Sequence, residues 1–360
     1  MQEKLERIGR AFGLSGRVEE FGEIKEGLIN CTLRVRFSGE RDSYIFQRIN
    51  TAVFAEPRMV MENIAKVLAH IRAKEPGARV LEFLTAADGE NYLELDGEFW
   101  RVSRYVDSVN RDRLDCPGFL FSVGSAFGRF GRQLSDLPAG TLAETIPGFH
   151  DTRKRLAKLF EDVEKDPLGR AKECGPEIAY LRGRAERACL ACDAFARGEL
   201  PVRVTHNDTR GNNVLFDRDT MEPLMVIDLD TVMPGNIPYE IADGAKAACI
   251  TAPFDEADLS KVHFDLGCFR EFCGGYLSEM GACLTERETG LIAPAVFAIA
   301  IEQTARFLDD YLTGDLYYQT DYPGENLRRT RAHVAFAEDI LAKYTEIERI
   351  VAELAGKEKH

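Results

Sequence analysis

The segment RVTHNDTRGNNVLFD, residues 203–217, places a histidine, an aspartate and three asparagines between two apolar runs. Val202 and Val204 alternate before the polar residues, and Val214–Phe216 follow them, which predicts two short buried strands. Polar side chains set between buried strands need partners, because burial without a hydrogen bond costs free energy. Such a segment is either a polar turn or a loop that carries chemistry.

Four side chains in and after this segment have the types and spacing that phosphoryl transfer requires. Asp208 follows His206 by two residues and precedes Asn213 by five. Asp228 directly follows the apolar residues 224–227 of the segment LMVIDLD. In protein kinases an aspartate of the catalytic loop accepts the hydroxyl proton, an asparagine follows it, and a later aspartate binds Mg²⁺. Each residue alone is also typical of a turn or a strand end. Together they predict Asp208 as the catalytic residue, Asn213 and Asp228 as magnesium ligands, and ATP as the phosphoryl donor.

The first hundred residues show alternation that is typical of a sheet. Residues 32–37 and 43–49 read as two strands joined by a turn, and Asp96-Gly97 is a strong hairpin signal between two further strands. Residues 56–74 have apolar side chains at helical spacing. These patterns predict a small antiparallel β lobe with one helix.

Helical patterns dominate the rest of the chain, over residues 117–136, 150–163, 178–197 and from 254 to the end. One short hairpin interrupts them, between about residues 213 and 230. We therefore predict an α+β, protein-kinase-like fold of two lobes. Residues 1–107 form the nucleotide-binding β-rich lobe in this prediction, and residues 108–360 form the helical catalytic and substrate-binding lobe.

Bulk properties narrow the class of protein. The 360 residues carry a formal net charge of −14, which disfavours a nucleic-acid partner because phosphates need basic surfaces. No run of about 18 apolar residues is present, and the charged N-terminus lacks a signal-peptide core. The nine cysteines are odd in number and irregularly spaced, with one CxxC at 189–192, so we expect reduced structural thiols. We expect a cytoplasmic protein whose partners are small molecules, with no nucleic acid, membrane or protein partner implied.

The nucleotide site is less clearly marked. The sequence has no Walker A motif, which excludes a P-loop fold. Gly22 and Gly27 bracket a turn between strands in FGEIKEGLINCTLRV, which is either an ordinary hairpin or a loop that covers the ATP phosphates. The segment FWRVSRYVDS is the expected hinge, where Tyr105 and Val106 would offer backbone groups to adenine.

A kinase places a phosphate-pairing cation in the strand after the glycine loop. In YIFQRIN the candidate is Arg48, with Gln47 on the opposite face of the strand. Glu62 in the following helix is the candidate acidic partner of this cation.

Three longer segments resemble a known family. HNDTRGNNVLFD, VIDLDTVMPGNIPYEIAD and RFLDDYLTGDLYYQ closely resemble N-acetylhexosamine 1-kinases, within the aminoglycoside phosphotransferase and choline kinase superfamily. The resemblance covers most of the chain. It implies a protein-kinase-like two-lobed fold and ATP-dependent phosphorylation of the anomeric hydroxyl of free N-acetylglucosamine or N-acetylgalactosamine. By position it also implies that Asp208 is the catalytic base, that Asn213 and Asp228 bind Mg²⁺, and that Arg306 and Tyr317 contact the sugar along with Asp208.

The glycine loop departs from the family pattern. Those kinases typically read Gly-His-Ile-Asn-Asp-Thr, whereas residues 27–32 read GLINCT. Gly27, Asn30 and Thr32 match positions expected to bind the nucleotide, while Leu28 and Cys31 replace two polar residues. We expect these replacements to affect which acceptor is used more than which reaction is catalysed.

Several alternatives remain open at this point. Arg306 could form a structural ion pair with Asp309 or Asp310, and Tyr317 could belong to the core. Ala242 in YEIAD replaces a usual glycine. The acceptor could be another hexose, an amino alcohol or an aminoglycoside, and a binding protein without catalytic activity could keep the same fold.

Overall fold

The computed structural model describes residues 1–24, 29–112 and 117–356. The strands are β1 (Val18–Ile24), β2 (Cys31–Phe37), β3 (Ser43–Arg48), β4 (Leu93–Leu95), β5 (Glu98–Arg104), β6 (Arg203–Thr205), β7 (Val214–Phe216), β8 (Pro223–Val226) and β9 (Met233–Gly235). The helices are α1 (Gln2–Ala11), α2 (Pro57–Lys74), α3 (Phe119–Gln133), α4 (Thr152–Lys165), α5 (Gly175–Ala188), α6 (Leu190–Ala196), α7 (Ile237–Cys249), α8 (Leu266–Met280), α9 (Glu286–Gly290), α10 (Ile292–Thr313), α11 (Glu325–Ala342) and α12 (Tyr344–Leu354).

The chain divides into two compact units. The sheet unit contains Met1–Arg111, Asp136–Pro147 and Asn212–Pro234, and the helical unit contains the remaining segments. The predicted α+β architecture is confirmed, because antiparallel strands and many helices occur together. The division at residue 107 stays a prediction. No helix in the described ranges has both the length and the apolar character needed to cross a membrane.

The sheet unit is built on five antiparallel strands in the order β1-β2-β3-β5-β4. Asp96 and Gly97 both have positive φ, 54° and 77°, as a tight turn between β4 and β5 requires. Val35, Phe46 and Val102 are fully buried on one face of three neighbouring strands. The strands predicted at 32–37 and 43–49 and the hairpin at 96–97 are therefore confirmed.

Among the residues that the structure describes, two α-helices belong to the sheet unit, whereas the sequence pattern predicted one. Helix α2 begins at Pro57, where the missing N–H leaves no unsatisfied donor, and it buries its apolar face as predicted. Helix α1 was missed because its stripe is short and sits among charged residues. Its Leu5 and Ile8 nevertheless join the core against the sheet.

A second hairpin in the sheet unit consists of β7 and β8, which are shorter than the sequence predicted. Val214 pairs with Val226, and the ladder ends there. Ile227 N–H donates to the Asn213 carbonyl at 2.8 Å, so residues 213 and 227 lie opposite each other beyond the ladder. Asp228 comes next, with φ 58° and ψ 57°, and a single 3-10 turn over Leu229–Thr231 follows.

The helical unit is organised around α10, whose residues are buried on nearly every side by α4, α5, α7 and α11. Helices α3 and α8 approach unusually closely, because glycines stand at the contact. A Cβ added at Gly124 would lie 2.0 Å from the Phe272 carbonyl oxygen, and one at Gly128 would lie 2.4 Å from that of Tyr276. The helix predicted over 178–197 is interrupted at Cys189, which separates α5 from α6.

Candidate active site

The candidate catalytic loop follows β6 in the helical unit, and its backbone is held by side chains. His206 and Asn207 each donate a backbone N–H to the carboxylate of Glu240, both at 2.8 Å. Glu240 lies on α7 and is 1% exposed. Burial raises the pKa of Glu240 to about 7, although the two N–H donors oppose that rise. One buried carboxyl group therefore fixes two consecutive residues of the loop.

The next two N–H groups of the loop are also held by side chains. Asp208 N–H donates to Nδ1 of His206 at 3.3 Å, and Thr209 N–H donates to Asp243 at 3.1 Å. His206 is itself fully buried, with its ring edge-on to Phe127 and Phe130. Four successive backbone donors thus have side-chain acceptors, which answers how a polar segment can lie next to a buried strand.

The carboxylate of Asp208 is partly exposed and forms a two-point contact with Arg210. Arg210 Nε lies 2.8 Å from Oδ1 and Nη2 lies 3.2 Å from Oδ2. Burial acts to lower the pKa of Arg210, but the carboxylates of Asp208, Asp112 and Asp243 outweigh it and raise that pKa. The geometry fixes the plane of the Asp208 carboxylate.

The two predicted magnesium ligands lie together at one end of the β7–β8 hairpin in the sheet unit. The Asn213 backbone is joined to Ile227, and Asp228 is the next residue. Asn213 is 4% exposed, whereas Asp228 is partly exposed and adopts the left-handed backbone conformation. Strained backbone of this kind often occurs at functional sites. An amide oxygen with one carboxylate suits Mg²⁺, which takes few protein ligands and completes its shell with water and phosphate oxygens. Within the described ranges, no group of three His, Cys, Asp or Glu side chains could hold a metal.

A buried ion pair lies directly behind this end of the hairpin. Arg101 of β5 and Asp230 are both 2% exposed, and Arg101 Nη1 lies 2.5 Å from Asp230 Oδ1. Asn30 donates to the other oxygen of Asp230 at 2.6 Å, and Arg101 Nε donates to Gln47 at 3.0 Å. Gln47 in turn donates to Thr32 at 3.1 Å. The network joins three strands of the sheet to the segment that carries Asp228.

The predicted nucleotide-binding residues of the sheet unit differ in burial and in hydrogen-bond partners. Asn30 and Thr32 belong to the network around Arg101, and Gly27 and Leu28 lie outside the described residues. Arg48 is about half exposed and pairs with Glu98 of β5 at 2.9 Å, so the suggested pairing with Glu62 is wrong. Glu98 also contacts Lys4, and Lys4 and Arg48 lower its pKa to about 2.

The predicted hinge directly follows β5. Tyr105 N–H donates to the Ser43 carbonyl at 3.0 Å, which extends the sheet by one residue. The Val106 carbonyl accepts from the Ser108 hydroxyl at 3.0 Å. The guanidinium of Arg34 lies 4.1 Å from the centre of the Tyr105 ring.

The two predicted sugar-contacting residues lie next to each other in the helical unit. Arg306 Nη2 donates to the Tyr317 hydroxyl at 3.3 Å, and the guanidinium lies 5.5 Å from the centre of that ring. Tyr317 is 57% exposed, so it does not belong to the core. The ion-pair alternative for Arg306 is also wrong. Asp309 pairs with Lys158, and Asp310 accepts the backbone N–H groups of Leu316, Tyr317 and Tyr318.

Sequence reasoning missed the residues that hold the loop and the hairpin, namely His150, Arg210, Glu240, Asp243, Arg101 and Asp230. A usable signal existed for Glu240 and Asp243. They are three positions apart in a helix whose other residues are almost all buried, and buried carboxylates require partners. No comparable local signal marked Arg101. From the sequence alone it looks like a solvent-exposed charged residue of a strand.

Comparison with known proteins identifies the class to which this fold and these residues belong. Residues 20–272 match the family model of the phosphotransferase enzyme family, and this is more than half of the chain. The chain therefore belongs to that family.

Solved structures show the same fold at low identity. A spectinomycin phosphotransferase in complex with ADP and spectinomycin has a TM-score of 0.61 and 11% identity, covering 97% of this chain and 99% of that one. An aminoglycoside phosphotransferase from Alicyclobacillus acidocaldarius also has a TM-score of 0.61, with 12% identity and 93% of each chain covered. An ethanolamine kinase from Plasmodium vivax has a TM-score of 0.53 and 16% identity, covering 87% of this chain and 82% of that one. These likenesses show that the chain has the predicted kinase-like fold.

Proposed function

We propose that the protein is an ATP- and Mg²⁺-dependent kinase that phosphorylates the anomeric hydroxyl of a free N-acetylhexosamine. The acceptor would be N-acetylglucosamine or N-acetylgalactosamine, and the product would be the sugar 1-phosphate. The observation that carries the phosphoryl-transfer part is the juxtaposition of Asn213 and Asp228 at one end of a hairpin, in a chain of the phosphotransferase family. We place the reaction in the cytoplasm, where ATP is available.

Asp208 is the proposed general base. Its carboxylate would accept the proton of the sugar hydroxyl as that oxygen bonds to the γ-phosphorus and the bond to the β–γ bridging oxygen breaks, which releases ADP. The loop around it suits this role, because four backbone N–H groups and Arg210 limit its motion. In phosphoryl transfer the protein does little covalent chemistry, so positioning of the reacting groups accounts for a large part of the rate enhancement.

Asn213 and Asp228 are the residues that would hold Mg²⁺. When bound, the ion neutralises charge on the phosphate oxygens. Gly27, Asn30, Thr32 and Arg48 remain the proposed nucleotide-binding residues, with Arg48 as the cation that pairs with the phosphates.

At the hinge, the Tyr105 N–H and the Val106 carbonyl are already hydrogen-bonded within the chain. The two groups left, the Tyr105 carbonyl and the Val106 N–H, belong to one trans peptide and point in opposite directions, so one of them is the proposed contact of adenine at this hinge.

The acceptor assignment rests on the Arg306–Tyr317 pair, in addition to the resemblance of the surrounding segments. A guanidinium beside a phenol presents several donors, which suit sugar hydroxyls or an acetamido oxygen. A cationic acceptor such as an aminoglycoside or an amino alcohol would instead be repelled by Arg306. The alternative is a kinase of the same family that acts on another hexose, an amino alcohol or an aminoglycoside.

The experiment is measurement of ADP release with Mg²⁺ and ATP over a panel of acceptors. The panel contains N-acetylglucosamine, N-acetylgalactosamine, glucose, galactose, choline, ethanolamine and one aminoglycoside, with the 1-O-methyl glycoside of each active sugar as a blocked control. We expect turnover with an N-acetylhexosamine and none with its methyl glycoside. Turnover only with another acceptor would overturn the sugar assignment, and no turnover at all would overturn the kinase assignment.

A further inference from the structure

His150 lies beneath the candidate catalytic loop, two residues before α4, and its ring is almost completely buried. Nδ1 is 3.3 Å from a carboxylate oxygen of Glu302, and Nε2 is 3.2 Å from the backbone carbonyl oxygen of Asn207. Asn207 directly precedes Asp208. The ring therefore connects a buried carboxylate of α10 with the backbone of the loop.

Both neighbours of the ring are hydrogen-bond acceptors. A backbone carbonyl can only accept, and an ionised carboxylate can only accept as well. A neutral imidazole has one N–H and would leave one of these contacts unsatisfied, whereas an imidazolium has two and satisfies both. In a buried position an unsatisfied contact is costly.

The ionisable groups that face the ring are mostly carboxyl groups. Glu302 approaches from α10, while Glu240, Asp243 and Lys246 approach from α7, so three carboxyl groups stand against one ammonium group. Burial acts to lower the pKa of His150, but Glu302 and Asp243 together outweigh burial, and the net effect raises that pKa above its usual value.

Asn207 is fixed on every polar side. Its φ is +65°, which asparagine tolerates better than most residues. Its N–H is held by Glu240, its side-chain oxygen accepts from Thr205 at 3.0 Å, and its carbonyl faces His150. The contact to His150 holds the carbonyl end of the peptide that leads directly into Asp208, and Nδ1 of His206 accepts from its N–H end at 3.3 Å.

We propose that His150 is kept as a buried imidazolium that orients the Asn207–Asp208 peptide, and that it is thereby a positioning residue for the catalytic carboxylate. The positioning part rests on the proposed kinase function, whereas the protonation part does not. The two parts are tested separately.

The protonation state is tested by NMR on the full chain labelled with ¹⁵N-histidine. The His150 signal is assigned from its loss in His150→Gln. We expect both ring nitrogens to carry protons at pH 7.5, well above the usual histidine pKa of about 6.5. An unprotonated nitrogen in the His150 ring at that pH would overturn the proposal, whatever reaction the protein catalyses.

The positioning role is tested by two variants of similar polarity. The amide of His150→Gln can reach the place of Nε2 and donate to Asn207, whereas the amide of His150→Asn reaches only the place of Nδ1. We expect kcat of His150→Asn to be about tenfold below that of His150→Gln, the effect of one net hydrogen bond, with KM for ATP changed less than about twofold.

The pH profile separates positioning from a merely structural effect. In the wild type, kcat should fall on the alkaline side as His150 loses its proton, and this fall should be absent in His150→Gln. His263→Asn, an exposed histidine of the same unit, is the matched control and should keep the wild-type profile. Equal kcat for the two His150 variants, or an unchanged alkaline fall in His150→Gln, would overturn the positioning role. If the wild type transferred phosphate to none of the acceptors, the proposed function would fail, and NMR would still decide the state of His150.

Discussion

Replacing Arg101 with methionine should destabilise the sheet unit by about 3 kcal/mol. The substitution leaves the Asp230 carboxylate buried, with the Asn30 amide as its remaining hydrogen-bond donor. Removing one member of a buried ion pair costs roughly 3–5 kcal/mol, because the other charge stays desolvated. The amide of Asn30 still compensates Asp230 in part, which places the expected loss near the lower end of that range.

The measurement is urea unfolding followed by tryptophan fluorescence. The chain has one tryptophan, Trp100, which is buried beside Arg101 on β5 and therefore reports on this unit. With a urea dependence of about 2 kcal/mol per molar, the midpoint should fall by about 1.5 M. Arg104→Met is the matched control, since Arg104 lies on the same strand but is about half exposed, and its midpoint should change by less than about 0.3 M.

A double-variant cycle identifies the cause. Asp230→Asn alone should also cost about 3 kcal/mol, but the double variant should lose at least about 2 kcal/mol less than the sum of the two single losses. An Arg101→Met midpoint equal to that of Arg104→Met would refute the buried pair. Additive losses would show that the two charges do not interact.

Four further outcomes are expected. Asp208→Asn should lower turnover by about a hundred- to ten-thousandfold while ATP affinity is kept, and near-normal turnover would remove Asp208 as the base. Asp228→Ala should abolish the magnesium dependence of ATP binding in a titration, whereas Asp219→Ala, at the exposed opposite end of the same hairpin, should leave it intact. Gly124→Ala should lower thermal stability by about 1–3 kcal/mol or more, because the new methyl group meets the backbone of Phe272. In the helix α5, Gly183→Ala has open space and should be neutral or stabilising. The pKa of Glu240 is raised by burial to about 7 from an ordinary 4.5, so its contribution to stability is lost as pH rises between those values, by on the order of 3 kcal/mol. Glu240→Gln should remove this part of the pH dependence in denaturation curves, and an unchanged slope would contradict it.

Local features of the fold were predictable from the sequence because local residues determine them. The turn at Asp96-Gly97 needs two residues that tolerate positive φ, and both are visible in the sequence. Helix α2 has an apolar stripe long enough to reveal its period. Helix α1 also has apolar residues at helical spacing, but it has only ten residues and half of them are charged. The tertiary core shows which of them are buried.

The candidate site was predictable only in part. Asp208, Asn213 and Asp228 could be found because their spacing along the chain is short and typical. Arg101 and Asp230 are 129 residues apart in sequence, and either could equally be a solvated surface charge. Arg48 was predicted as the phosphate-pairing cation from its position in the strand. The structure shows that Arg48 is about half exposed, whereas Arg101 is buried. Burial of that kind depends on the assembled sheet and on residues 212–234, and neither is local.

The separation between Arg101 and Asp230 also has a consequence for synthesis of the protein. Ribosomes add about 5–20 residues per second, so β5 emerges on the order of ten seconds before its acidic partner exists. During that interval the five strands have all been made, but the guanidinium of Arg101 has no carboxylate at its buried position. The nascent sheet should therefore remain open at β5 and be a substrate for chaperones until residues 212–234 arrive. Residues 212–234, although made last, then complete the unit that contains the five-stranded sheet.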